Sequence, residues 1–166
     1  MTMLEIIEFP NRVLTNLSTP IDVFDHSVEQ LVKSMIETMY VHGGVGLAAP
    51  QVGVSKTVVI IDPSAGDVAN QLLILVNPRV IWRSEEMDAS DEGCLSLPGV
   101  TLKVPRSLSV TIEYHDIKGV LNNVTCAGFD ARIAQHEIDH IDGIMMLDHV
   151  GQLARIHALK DLGKNK

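Results

Sequence analysis

The stretch His136-Glu137-Ile138-Asp139-His140 has the H-E-x-x-H spacing. On a helix this spacing sets two imidazoles one turn apart on one face, where both can grip a single metal ion. Glu137 lies about 100° round from His136, able to reach a water on that ion without itself being a ligand. The bland alternative is a pair of polar residues on a solvated face, or core histidines satisfied by hydrogen bonds. Periodicity weighs against it: Phe129, Ile133, His136 and His140 form one helical stripe, which turns apolar rather than charged. A second row, Ala134, Ile138, Ile141 and Met145, can bind the same helix to the core. A metal at one end of a stripe and an oily wall at the other suit a hydrolase acting on the amide of an apolar residue.

Two histidines leave a catalytic ion underligated, since such sites commonly take a third protein ligand plus water. Downstream, Asp142, Asp148, His149 and His157 are candidates, but none falls at the extended metalloprotease spacing. Upstream stands Glu92-Gly93-Cys94-Leu95-Ser96-Leu97-Pro98-Gly99, with a permissive glycine before the cysteine and Pro-Gly to stop the segment. Cys94 is the better third ligand, against the plainer reading of a buried thiol. Such a mixed donor set suits Fe(II), Zn, Ni or Co about equally. The other cysteine, Cys126, reads as an ordinary small buried residue. Two cysteines are too few for a disulfide scaffold and fit a reducing compartment.

A glycine-rich run, Gly44 to Gly53, lacks the Lys-Ser/Thr of a phosphate loop. It reads either as a tight helix-to-strand connection or as a loop whose backbone approaches a peptide, with Gln51 adding an amide donor.

These residues need elements to carry them. Asp25 or Ser27 can cap a helix with Val28, Leu31, Val32, Met35, Ile36 and Met39 on its apolar face, ending near His42-Gly43-Gly44. Thr57 to Ile61 and Leu72 to Val76 read as strands, the second closed by Asn77-Pro78. From Ser107 to Tyr114 the residues alternate, with Leu108, Val110, Ile112 and Tyr114 inward. A turn at His115–Gly119 and a strand from Val120 to Cys126 complete an antiparallel hairpin. The motif helix spans Ala127 to Ile141, closed by Asp142-Gly143, and an amphipathic C-terminal helix runs from about Val150 to Leu159. The class expected is α+β, with mixed or antiparallel sheets packed around a central helix that carries the motif.

A chain of 166 residues with 46% hydrophobic content fits one domain over residues 1–166. Its formal charge of −8 argues against a nucleic-acid surface. Met1 to Pro10 has no basic region followed by a long apolar run, and no segment reaches about 18 consecutive apolar residues. A soluble cytoplasmic protein is expected.

Together, Gly44-Val45-Gly46-Leu47-Ala48-Ala49-Pro50-Gln51, Glu92-Gly93-Cys94-Leu95-Ser96 and Gln135-His136-Glu137-Ile138-Asp139-His140 resemble the three signature motifs of the peptide deformylase family, in order. Phe9-Pro10, Glu37-Thr38-Met39-Tyr40, Val104-Pro105-Arg106 and Asp142-Gly143 extend the resemblance over nearly the whole chain, in the short bacterial and organellar form. It implies a metallohydrolase that removes the formyl group from the N-terminal methionine of nascent polypeptides and releases formate. It further implies that Cys94, His136 and His140 bind one divalent metal, Fe(II) first, and that Glu137 is the general acid/base. Gln51 and the Leu95 N–H would hold the formyl oxygen. Main chain at Val45 and Gly46 would bind the peptide, and Phe129 and Ile133 would line the methionine pocket. Glu92 would pair with Arg106 to brace the cysteine segment. A monomer working near the ribosome exit, without membrane contact, completes the expectation. The rivals are an H-E-x-x-H metalloendopeptidase, which lacks its downstream ligand here, and a noncatalytic metal-binding module of the same fold. An intact Glu137 and Gln51 count against the second, because a structural site has no use for a base.

Overall fold

In the computed structural model, residues 3–69 and 71–164 are described. Met1 and Thr2, at the start of the stretch read for an export signal, lie outside them, as do Asn165 and Lys166 at the end of the expected domain.

Helix α1, His26–Val41, begins where the sequence says it should. Asp25 caps it by accepting the Ser27 N–H at 2.9 Å, which satisfies one of the donors a helix start leaves open. Val28, Val32, Met35 and Met39 are buried along its inner face. Full burial of a side chain such as Met35 or Met39 is worth about 1.5–3 kcal/mol.

Seven strands follow: β1 Gly46–Ala48, β2 Val58–Ile61, β3 Leu73–Arg83, β4 Met87–Cys94, β5 Leu97–Ser107, β6 Ser109–His115 and β7 Leu121–Ala127. One sheet has the order β1-β2-β3-β6-β7 and the other pairs β4 with β5. Every strand pairing in both is antiparallel. Helix α2, Gly128–Ile141, carries the motif, and α3, Gln152–Lys164, closes the chain.

Position follows from burial. In α2, Ala131 to Ile138 are all buried, as are His140 and Ile141, so the helix is central and cannot be a solvated one. Its row of Ala131, Ala134, Ile138 and Ile141 packs on Val59, Ile61, Leu75, Val110 and Ile112 of the large sheet. The opposite face of that sheet, with Val58, Ile60 and Val76, packs against α1. A third cluster joins Leu97, Val100, Leu102 and Val104 of β5 to Met145, Met146 and Leu147 and to Ala158 and Leu162 of α3.

Several boundaries differ from expectation for physical reasons. The strand does not stop at Asn77-Pro78. Asn77 takes φ 51, and the register against β6 shifts between Val76 and Arg79, so a bulge absorbs the proline and β3 continues to Arg83. The Asn77 amide also accepts the Ile21 N–H and donates to the Ile21 carbonyl, both at 2.8 Å. Ser107 belongs to β5, and Leu108, expected inward, is 40% exposed in the link to β6. Pro98-Gly99 does not stop the cysteine segment but lies within β5; the chain turns earlier, at Leu95-Ser96, with Cys94 paired to Leu97. Met145, placed by periodicity on the motif helix, follows its end and packs in the third cluster. The last helix starts two residues later than expected and runs on to Lys164.

Candidate active site

His136 and His140 are buried at 7% and 1% exposure, with their Nε2 atoms 3.2 Å apart. Cys94, half-buried at the end of β4, brings Sγ to 3.3 Å from His140 Nε2. These ligand atoms all lie within 4.8 Å of one another. A cation with bonds of about 2.0–2.3 Å to nitrogen and sulfur fits among them.

The donor chemistry supports a cation too. His136 Nδ1 lies 2.9 Å from Glu92 Oε2. Burial pushes Glu92 up, but bonds from His136 and Arg106 outweigh it and hold the carboxyl at about 2. An ionised Glu92 accepts a hydrogen bond from the proton on His136 Nδ1, which turns Nε2 toward the site. Burial pushes His136 down, and the Cys94 sulfur and Glu92 beside it draw it well above its usual value, so this pocket attracts positive charge at Nε2. Burial and His136 together push His140 well down, favouring the neutral imidazole that a metal would need.

Around this cluster runs a buried network of charge. Arg106, 4% exposed, donates from Nε to Glu92 Oε1 at 2.8 Å and from Nη2 to Oε2 at 3.0 Å. Its Nη1 donates to Asp139 Oδ2 at 2.5 Å, and His149 Nε2 lies 2.7 Å from that same oxygen. Burial raises Asp139, but His149 and Arg106 bring it below the ordinary range.

Glu137 faces the other way. Its Oε2 is buried with no partner, and burial pushes the carboxyl up to about 7, against the opposite pull of His136. Gln51, 1% exposed, sits on the short 3-10 turn Ala49–Val52. Its Oε1 accepts the Ala48 N–H at 2.8 Å, which turns Nε2 toward Cys94 Sγ, 3.6 Å away. The N-terminal segment clips this wall to the cysteine turn: the Ile7 N–H donates to Gln51 O at 2.7 Å and the Phe9 N–H to Ser96 O at 3.0 Å.

These groups open on a cavity of about 980 Å³, walled by Gly44 to Gly46 on one side and Leu97 to Thr101 on the other. A Cβ added at Gly46 would meet Glu137 Oε1 at 2.6 Å and Ile133 Cγ2 at 2.8 Å, so only glycine lets the backbone lie this close.

The structure thus gathers Cys94, His136, Glu137, Gln51, Leu95, Val45 and Gly46 at one cavity, with His140 against Cys94 and His136 and with Glu92 and Arg106 behind. It does not bring Phe129 there. Phe129 is 57% exposed and outside the cavity lining among the described residues. At 1.5 Å per residue it lies about 10 Å along the axis from His136, in the first turn of α2. Ile133 is buried behind Gly46 instead of lining the open wall. Sequence reasoning missed Arg132, buried one turn before His136, and the Asp139–His149 pair. A lone charge on a largely apolar helix face was the available signal for Arg132.

A His-Glu helix closed by a cysteine hairpin places the molecule among hydrolase folds built round one metal ion. The family model of polypeptide deformylase matches residues 3–155. Among relatives, a peptide deformylase of Rhizobium meliloti is 39% identical, the match covering 93% of this chain and 89% of that protein. The chloroplastic/mitochondrial peptide deformylase 1B of Arabidopsis thaliana is 37% identical, over 90% of this chain and 55% of that one. The crystal structure of a peptide deformylase from Legionella pneumophila superposes with a TM-score of 0.94 at 35% identity, covering 99% of this chain and 95% of that one. The chain belongs to the polypeptide deformylase family. No helix among the described residues is long and apolar enough to cross a membrane.

Proposed function

We propose that this chain, as one catalytic domain over residues 1–166, hydrolyses the formyl amide of N-formylmethionyl polypeptides and releases formate. The observation that carries the reading is a buried carboxylate with a free oxygen, Glu137 Oε2, beside the converging Cys94, His136 and His140 ligand atoms.

In this reading Cys94, His136 and His140 hold one divalent ion, Fe(II) by resemblance, with Zn, Ni or Co able to take the same donors. When bound, the ion supplies Lewis-acid activation of water and of the formyl oxygen. Glu137 Oε2 accepts the proton of the attacking water and returns it to the leaving amine nitrogen. Gln51 Nε2 and the Leu95 N–H donate to the formyl oxygen as it gains negative charge. Main-chain groups at Val45 and Gly46 hold the peptide extended along the cavity. Ile133, behind Gly46, backs the floor on which the methionine side chain rests. Glu92 and Arg106 fix the tautomer of His136. The chain works as a cytoplasmic monomer on nascent peptides near the ribosome exit. Its charge of −8 fits a role without direct nucleic-acid contact.

The test is formate release from formyl-Met-Ala-Ser beside acetyl-Met-Ala-Ser and the unblocked peptide, with metal content measured on the same sample. Release from the formyl peptide alone is expected; cleavage of internal bonds, or no release by a metal-replete protein, would reject the reading.

Two variants probe the geometry. Gly46→Ala pushes a methyl into Glu137, and a displacement of about 1 Å can cost about a hundredfold, so turnover should fall by that order while metal content stays unchanged. Because Phe129 is exposed, Phe129→Ala should leave the kcat/KM ratio of formyl-Met-Ala-Ser to formyl-Ala-Ala-Ser within about twofold of wild type, whereas loss of a wall contact costs about tenfold or more.

A further inference from the structure

The ligands come from two separate bodies, the β4–β5 hairpin with Cys94 and helix α2 with His136 and His140. A metal site of this kind holds only if hairpin and helix keep a fixed distance. Arg132 spans that joint. It leaves α2 one turn before His136, is 8% exposed, and reaches both strands of the hairpin. Its Nη1 donates to Glu92 Oε1 at 2.9 Å and to the Val104 carbonyl at 2.7 Å. Its Nη2 donates to the Asp88 carbonyl at 2.8 Å and to Asp88 Oδ2 at 3.2 Å. Asp88 and Glu92 lie on β4 and Val104 on β5.

A guanidinium buried this deeply is tolerated only when its donors are used, and here both Nη groups are. Arg132 also completes the shell of Glu92. Oε1 faces Arg106 Nε and Arg132 Nη1, while Oε2 faces Arg106 Nη2 and His136 Nδ1. With both oxygens held, the carboxylate cannot rotate away from His136. Arg106 braces Glu92 from within the hairpin, on β5; Arg132 braces it from the helix.

We propose that Arg132 is a positioning residue of the metal centre. It sets the distance of Cys94 from the histidine pair and, through Glu92, the direction of His136 Nε2. This rests on the reading of Cys94, His136 and His140 as the metal ligands. A merely structural arginine would instead staple hairpin to helix without governing how the ion is held.

The experiment compares wild type, Arg132→Met and Arg132→Lys, each loaded with Co(II). Three quantities are read: the visible ligand-field spectrum, the rate of Co(II) loss to excess chelator, and the Tm of the metal-free chain. Arg132→Met should lose Co(II) at least about tenfold faster, in the range known for outer-shell partners of a metal site, and with altered bands. Arg132→Lys, which keeps one charged donor toward Glu92, should fall between it and wild type. A wild-type spectrum and loss rate in Arg132→Met, however far its Tm falls, would overturn the proposal. If Arg132→Met does not fold, the same two readouts on Arg132→Lys decide. A wild type that holds Co(II) yet releases no formate from formyl-Met-Ala-Ser would reject the deformylase reading and leave the comparison of Arg132 variants standing.

Discussion

Glu137→Gln should keep its metal and lose at least about a hundredfold in turnover, the low end of what a positioned acid/base contributes. The substitution is nearly isosteric and touches no ligand atom, so the convergence of Cys94, His136 and His140 is preserved. What it removes is an oxygen able to accept a proton, since an amide has no comparable basicity. Glu137 suits the proposed role because burial lifts its carboxyl to about 7, close to the pH at which such a group would take and return a proton. The sign of the pH dependence follows. A base must be ionised to act, so kcat/KM should fall on the acid side, and a bound cation, favouring the carboxylate, should place that limb below 7. Kinetics on metal-replete samples decide the matter, and near-normal formate release by the glutamine variant would remove Glu137 from its role.

Cys94→Ala should have the other large effect, through a different quantity. In the proposed site, removing one of the three protein ligands leaves two imidazoles, and the metal should fall well below one ion per chain, with activity down more than about a hundredfold, the upper end of what outer-shell changes cost. Gln51 loses a neighbour as well, because its Nε2 points at Cys94 Sγ from 3.6 Å. Cys126→Ala is the control. Its thiol is buried in the core beneath the large sheet, where burial and Asp130 push it upward and away from the reactive form. Metal analysis with formate release on both variants separates the two cysteines; full metal in Cys94→Ala would mean that the third ligand lies elsewhere.

How far the sequence could be read depended on whether an element's signal was local. Helix α1 was legible because its period and its Asp25 cap lie within the segment itself. The motif helix, which has no side-chain cap, was legible from its own period, and the β6–β7 hairpin from its alternation and glycine turn. Strand β4 was not, because Met-Asp-Ala-Ser-Asp-Glu-Gly-Cys has neither alternation nor β-branched residues. It is a strand because β5 pairs with it and Arg132 grips it, both of which are tertiary facts. Strand β1 spans only Gly46–Ala48, too short for any periodicity to show. Among candidate site residues, Cys94, His136, His140 and Glu137 stood out by type and spacing, and the structure brings their side chains together. Phe129 lies outside the cavity lining among the described residues, since a helical stripe gives a direction but not where along the axis the cavity ends.

The arrangement of the ligands also bears on how the chain comes together. Cys94 and His140 are 46 positions apart in sequence, so an ion gripped by both closes a long loop as a cross-link would. Closing a loop of that length removes from the unfolded chain freedom worth several kcal/mol in the loop-entropy account. In the proposed site the ion would thus be a clasp as well as a reagent. Because it would bind the finished site and not the open chain, its concentration would help set how much of the protein is folded. A nascent copy could not acquire that clasp until α2, which carries His136 and His140, has been synthesised.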